Sequence, residues 1–244
     1  MSGHSKWANI KRRKAKVDAV KGTVFSQLTK EIMAAAKHGG PNPDTNFRLR
    51  IAIDKAKGQN LPSSNIERAV RRATGQEEGV QYEEAVYEGY GPGGAAVYLQ
   101  ILTDNRNRTA GEVRHIFSRH GGSLGETGCV AWMFEPKGRL VIGATRQSEE
   151  DLLELAIEAG ADDLEHDADD GVVVWTAPDL LDQVRTEFEA HGIPVTEAEL
   201  VRLPKTTVAV ADREAEQLAD LLSLLDDHDD VERVFSNADF SEDL

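Results

Sequence analysis

Cysteine is almost absent. Cys129 stands alone in 244 residues, so no internal disulfide can close and no cysteine metal cluster can be built. Long apolar runs are also missing: nothing approaches the roughly 18 residues of a membrane-spanning helix, and no charged-then-apolar leader opens the chain. The seven histidines show no ligand-type spacing, and no Ser/His/Asp set declares itself. These absences point to a cytoplasmic protein without membrane, cofactor or metal, and to a binding protein rather than an enzyme. Basic residues are scarce as well, 28 Lys/Arg against 43 Asp/Glu, and the resulting net charge of -15, taken whole, argues against a polyanionic ligand.

The distribution reverses that conclusion. Residues 1–75 hold 16 Lys/Arg and 5 Asp/Glu, a net of +11, whereas the rest carries -26. Exposed charges are screened over roughly 10 Å at moderate salt, so a phosphate near the first segment responds to that segment and not to the chain total. The acidic remainder either restricts which face can dock or simply maintains solubility.

The cations concentrate at the start. GHSKWANIKRRKAK places Lys6, Lys11, Arg12, Arg13, Lys14 and Lys16 in one run with no acidic residue. Such a run cannot form a core, but each Lys or Arg that meets a phosphate releases counterions and adds salt-sensitive affinity. A solvated basic tail without a specific target is the plainer alternative. Trp7, inside the run, suits stacking on an unpaired base or folding back on neighbouring helices.

The wording of this stretch is more specific than its charge. Met1 to Ala15 resembles the opening of the YebC/PmpR family. The likeness continues through FRLRIAIDKAK (Phe47–Lys57), NIERAVRRATG (Asn65–Gly75), YEGYGPGG (Tyr87–Gly94), LTDNRNRTAGEVRHIFSRHGG (Leu102–Gly122) and DDVERVFSNADF (Asp229–Phe240), and is thin from Lys137 to Leu203. The resemblance implies a regulator of gene expression. Members are described as DNA-binding transcriptional regulators, and relatives as translation factors that work with the ribosome, including in mitochondria and on proline-rich stretches. Because the likeness begins at Ser2, no transit peptide is expected here.

Periodicity predicts three helices after the arm. Phe25, Leu28, Ile32 and Ala35 set the first, ended by Gly39-Gly40. A second opens near Asp44, with Phe47, Ile51 and Ile53 inward and Arg48, Arg50, Lys55 and Lys57 outside. The third starts at a Ser64/Glu67 capping box, buries Ile66, Ala69, Val70 and Ala73, and exposes Arg68, Arg71 and Arg72. A linker follows from Gln76 to Gly79. Strands are then expected at Tyr82–Tyr90 and Ala95–Thr103 around the Gly91–Gly94 turn, which has neither the Lys-Ser/Thr nor the immediate helix of a P-loop. A helix from a Thr109/Glu112 box to His120 and a strand at Cys129–Phe134 come next. Arg106, Arg108, Arg114 and Arg119 make a second basic spot, serving either phosphate contact or internal salt bridges with Asp104 and Glu112.

From Lys137 to Leu203 the order β-α-β-β-α-β predicts a ferredoxin-like unit. Strand Thr206–Val210, helix Asp212–Leu225 and strand Val231–Phe235 then complete the interrupted middle part. The expected fold is α+β: a basic three-helix N-terminal domain (1–78) followed by two α/β-sandwich domains, the middle one (79–136 with 205–244) interrupted by a ferredoxin-like insert (137–204). The acidic run His166–Gly171 lacks the ligand register of a calcium loop and reads as a tight turn, and Asp226–Asp230 is dense enough to attract a divalent ion, though a solvated helix-to-strand loop explains it at less cost; a metal-dependent phosphohydrolase is the remote reading outside the binding class. Cys129 lies in an apolar pattern where a free thiol is packed and inert.

The expected contacts with nucleic acid are therefore Lys6, Trp7, Lys11, Arg12, Arg13, Lys14 and Lys16, then Arg68, Arg71 and Arg72, with Arg106 and Arg108 behind them. The partner is DNA or ribosomal or transfer RNA, in the second case with the ribosome, and the expected state is a monomer. The arm with its aromatic leans toward irregular RNA, since no helix presents an obvious groove-reading set.

Overall fold

The structure, a computed structural model, describes residues 21–74, 82–167 and 171–240. The architecture is α+β, with a helical N-terminal part followed by two α/β sandwiches. The described residues fall into two compact units: Phe134–Lys205 forms one, and residues 21–133 with 206–240 form the other.

Helix α1 (Lys21–Gly39) buries Leu28, Ile32 and Ala35 as the periodicity predicts, and Gly40 stops it in the left-handed region at φ 84°. Its middle goes further, because Ile32, Met33, Ala34, Ala35 and Ala36 are all buried. A helix with a single apolar stripe cannot achieve that, so α1 is covered on several sides. Helices α2 (Phe47–Gly58) and α3 (Ser63–Ala73) both pack on it, and Leu102 from the following sheet joins the same apolar cluster.

Asn46 fixes the turn between the first two helices. Its side chain accepts from Leu49 N at 3.1 Å as the cap of α2 and donates to the carbonyls of Ala35 and Gly40, each at 2.8 Å. A Cβ on Gly39 would stand 2.5 Å from Asn46 Cγ, so this approach requires glycine. The start expected near Asp44 is thus corrected to Phe47. The buried stripe is Leu49, Ala52 and Ala56, not Phe47 and Ile51. Helix α3 also begins one residue early, after Pro62, with no side-chain cap, so the Ser64/Glu67 box does not form.

Strands β1 (Glu83–Tyr90) and β2 (Ala96–Thr103) pair antiparallel around a short 3-10 turn at Pro92–Gly94. Helix α4 (Arg106–Arg119) follows, then the two-residue strand β3 (Ser123–Leu124), which pairs with β1. The expected strand Cys129–Phe134 is instead a turn ending in a 3-10 segment, Ala131–Met133. The glycines at 121, 122, 125 and 128 favour turning over extension there.

The second unit contains β4 (Phe134–Ile142), α5 (Glu149–Ala159), β5 (Asp163–Asp167), β6 (Gly171–Thr176), α6 (Leu181–Ala190) and β7 (Val195–Pro204). Its antiparallel sheet runs β5-β6-β4-β7, the strand order of the ferredoxin-like motif. Ser148 caps α5 in a capping box with Asp151.

The chain then returns to the first unit. Strand β8 (Val208–Val210) precedes α7 (Asp212–Asp226), β9 (Val231–Ser236) and β10 (Ala238–Phe240). The main sheet there is β3-β1-β2-β9, and β8 pairs with β10 in a separate parallel ribbon, which corrects the expectation that Thr206–Val210 would join the main sheet. Val113 and Phe117 of α4 and Leu218, Leu221, Leu222 and Leu225 of α7 are all buried. Each such side chain contributes roughly 1.5–3 kcal/mol, enough to make these two helices the apolar backing of the sheet.

Candidate nucleic-acid interface

Each of the first three helices ends in cations: Lys37 and His38 on α1, Lys55 and Lys57 on α2, Arg71 and Arg72 on α3. Their first turns carry no acidic residue. Cations at a helix C-terminus also complement the helix dipole, so part of this pattern serves the fold. On α3, Ile66 and Ala69 face the core while Arg68, Arg71 and Arg72 are exposed, as expected. The expected primary contacts Lys6, Trp7, Lys11, Arg12, Arg13, Lys14 and Lys16 lie outside the described residues.

Other cations expected to face outward are drawn into the joint between helices and sheet. Arg48 reaches the buried Glu232 carboxylate at 2.8 Å, and Arg50 lies over the Phe47 ring, 5.6 Å from its centroid. Glu31 accepts from Arg233 at 2.8 Å and Lys55 at 3.2 Å. Burial works to raise the Glu31 pKa, but the charges of Arg233 and Lys55 outweigh it and hold the carboxyl down at about 2. Glu232 goes the other way, because burial there outweighs Arg48 and Arg233 and pushes its pKa up. Lys30 is buried facing the Asp229/Asp230 loop, with its ammonium 3.9 Å from Asp229 and no hydrogen bond among the described residues. Burial depresses its pKa, with Asp229 and Asp230 opposing.

The second basic spot divides. Arg106 is exposed, its nearest carboxylate Glu83 at 3.9 Å. Arg108 is bound to Asp230 at 2.6 Å and Asp104 at 2.8 Å, with Glu112 at 4.0 Å, which is the internal salt-bridge arrangement. Asn105 caps α4 through Arg108 N, so the helix begins before the expected Thr109 box. Thr109 is buried and donates to Asp230 at 2.7 Å. Burial tends to raise the Asp230 pKa, yet hydrogen bonds from Thr109 and Arg108 keep it below the usual carboxylate range.

The acidic run at Asp226–Asp230 contributes two members of a compact trio. Ligand-type atoms of Glu112, His228 and Asp230 lie within 4.8 Å of one another. His228 Nε2 meets Glu112 at 3.0 Å and its Nδ1 accepts from Asp230 N at 3.0 Å, while Thr103, Thr109 and Arg108 approach the Asp230 carboxylate. These groups already satisfy one another. Burial and the neighbouring Glu88 push the Cys129 thiol pKa up, the opposite of what a nucleophile needs.

Residues 5–76 match the family model for the TACO1/YebC protein N-terminal domain, and residues 82–238 that for the TACO1/YebC second and third domain. The chain belongs to the TACO1/YebC family. A probable transcriptional regulatory protein of Symbiobacterium thermophilum is 54% identical over 239 residues, 97% of this chain and 98% of that one. Another, from Dictyoglomus turgidum, is 52% identical over 245 residues, covering 100% and 98%. The crystal structure of a conserved hypothetical protein from Aquifex aeolicus superposes with a TM-score of 0.84 at 46% identity, over 94% of this chain and 95% of that one.

One exposed residue of this TACO1/YebC chain escaped sequence reasoning. Trp132, placed there in a strand, sits on the 3-10 turn with its side chain in solvent. The four nearby glycines were the signal that the stretch turns.

Proposed function

We propose that this chain is a non-enzymatic, nucleic-acid-binding regulator of gene expression, in the first instance one that binds DNA, a reading in keeping with relatives named probable transcriptional regulatory proteins. The observation that carries the reading is the exposed row Arg68, Arg71 and Arg72 on a helix whose chain continues from the basic run Lys6–Lys16, in a protein otherwise acidic. Arg106, exposed on the first turn of α4, is a further candidate contact. Arg108, engaged by carboxylates, serves mainly to position α4. The protein acts in the cytoplasm as a monomer and needs no cofactor.

A second reading, an RNA-binding factor associated with the ribosome, is favoured by Trp7 within the basic run, an aromatic suited to unpaired bases. Equilibrium binding of the full chain at physiological salt to a panel of duplexes and structured RNAs separates the two. A duplex-specific regulator prefers one duplex by roughly 10³-fold or more over others. Equal binding to all duplexes with tighter binding to folded RNA decides for the second reading, and binding to neither overturns both.

A further inference from the structure

We propose that Trp132 is a preformed stacking platform for an unpaired nucleobase of a single-stranded polynucleotide; this rests on the nucleic-acid reading above. The indole is 65% exposed, the one aromatic among the exposed large apolar side chains of the described residues. An aromatic of this size is normally covered, so its exposure needs a cause.

The turn beneath it is firmly built. Glu88, only 2% exposed, accepts backbone N–H bonds from Gly128 at 2.7 Å, Val130 at 2.8 Å and Ala131 at 2.7 Å. Its own carbonyl accepts from Gly125 N at 2.7 Å. Tyr90 Oη donates to the Cys129 carbonyl at 3.1 Å, and Trp132 Nε1 donates to that same oxygen at 3.1 Å. A buried carboxylate and two aromatic donors thus hold one short turn whose product is an indole fixed in solvent. The ordering cost of a stacking residue is met in advance by this arrangement.

The chemistry of the occupant follows. With Nε1 committed internally, the ring offers its faces and not a hydrogen bond, which suits stacking on any base whose own face is free. Bases inside a duplex have both faces covered. Thr127 of the same turn lines a cleft of about 350 Å³ with Arg48, Glu84, Gln100, Arg106 and Glu232; Arg48 is engaged by Glu232 there, so the exposed Arg106 is the cation the cleft offers an adjoining phosphate.

The test compares the full chain with Trp132→Ala and Trp132→Phe, titrated against a labelled single-stranded oligoadenylate and a duplex of equal length. The expected result is a loss of about tenfold or more for single strand with alanine, most of it restored by phenylalanine, with duplex binding and the salt dependence unchanged. Equal binding by wild type and Trp132→Ala overturns the stacking role alone, as does an equal loss on duplex and single strand, which marks a structural effect. Wild-type protein that binds neither probe overturns this proposal together with the reading on which it rests. A drop in melting temperature for the alanine variant transfers the decision to phenylalanine: single-strand affinity restored along with stability in a variant that keeps an aromatic face supports stacking, and affinity still lost at native stability overturns it.

Discussion

Arg108 Nη2 lies 2.6 Å from Asp230 Oδ2 and joins the first turn of α4 to the loop before β9 across 122 residues of sequence. Asp230 also accepts from Thr109 at 2.7 Å and Thr103 at 3.2 Å, so one carboxylate ties β2, α4 and the β9 loop together. Replacing Asp230 by alanine removes the acceptor that a guanidinium and two buried hydroxyls share, leaving Arg108 with Asp104 alone at hydrogen-bond distance. The expected loss is about 2–4 kcal/mol, read as a lower denaturation midpoint at constant slope. Arg108→Ala should cost less, because that side chain is partly solvated. Since the folded-state pKa of Asp230 is depressed, its contribution is present above the usual Asp range and is lost as pH falls below it.

Glu31 supplies a sharper acid signature. Its carboxyl sits at about 2 in the folded protein against 4.5 as the ordinary value. A depressed carboxyl stabilises above the unfolded pKa and ceases to as pH falls through the folded one. Glu31→Gln should therefore lower stability at neutral pH by roughly 2–4 kcal/mol and flatten the stability profile between about pH 4.5 and 2. Denaturation curves across that window check both, and a profile that keeps its wild-type slope would show that Arg233 and Lys55 do not govern the titration.

Lys30 is the opposite case. Its ammonium is buried without a hydrogen bond among the described residues, and Asp229 stands 3.9 Å away on an exposed side chain. A depressed lysine pKa means that folding works against the charged form, so removing the charge relieves the folded state at neutral pH. Lys30→Met should stabilise the fold by an amount on the order of 1 kcal/mol, read as a higher melting temperature. A fall would place the net value of the Asp229 and Asp230 attraction above the cost of burial.

The arginine row on α3 is testable through salt. Arg68→Gln, Arg71→Gln and Arg72→Gln together should leave the fold intact, since all three are exposed. If they meet phosphates, affinity for nucleic acid falls and the slope of log K against log salt drops by about 2–3. An unchanged slope removes α3 from the interface.

The sequence made strong local periodicities legible and hid the tertiary bonds. The ferredoxin-like strand order and helix α1 could be read because their apolar residues repeat at fixed spacing, as at Leu28, Ile32 and Ala35. The starts of α3 and α4 differ from the capping patterns at Ser64/Glu67 and Thr109/Glu112: α3 already begins after Pro62, and α4 is capped by Asn105 while Thr109 is engaged by the distant Asp230. Arg48 looked like a surface cation because nothing near it in sequence announces Glu232. Around Trp132 the glycines signal a turn, but nothing local shows that Glu88, more than 40 residues earlier, pins it.

Gly138 tests the ferredoxin-like unit separately. It lies on β4 opposite Thr176 of β6 and beneath the start of α6. A Cβ there would overlap Thr176 Oγ1 and stand 2.9 Å from Leu181 Cδ1 and 3.0 Å from Leu181 Cβ. Leu181 is fully buried and Thr176 lies in the central strands, so neither can step aside without moving α6 or the strand pair. Gly138→Ala should therefore destabilise this unit by about 1–3 kcal/mol. Hydrogen exchange localises the effect: amides of β4, β6 and α6 should lose protection while those of α1 to α3 keep theirs. Protection lost equally in α1 to α3 would mean that the two parts unfold as one cooperative body.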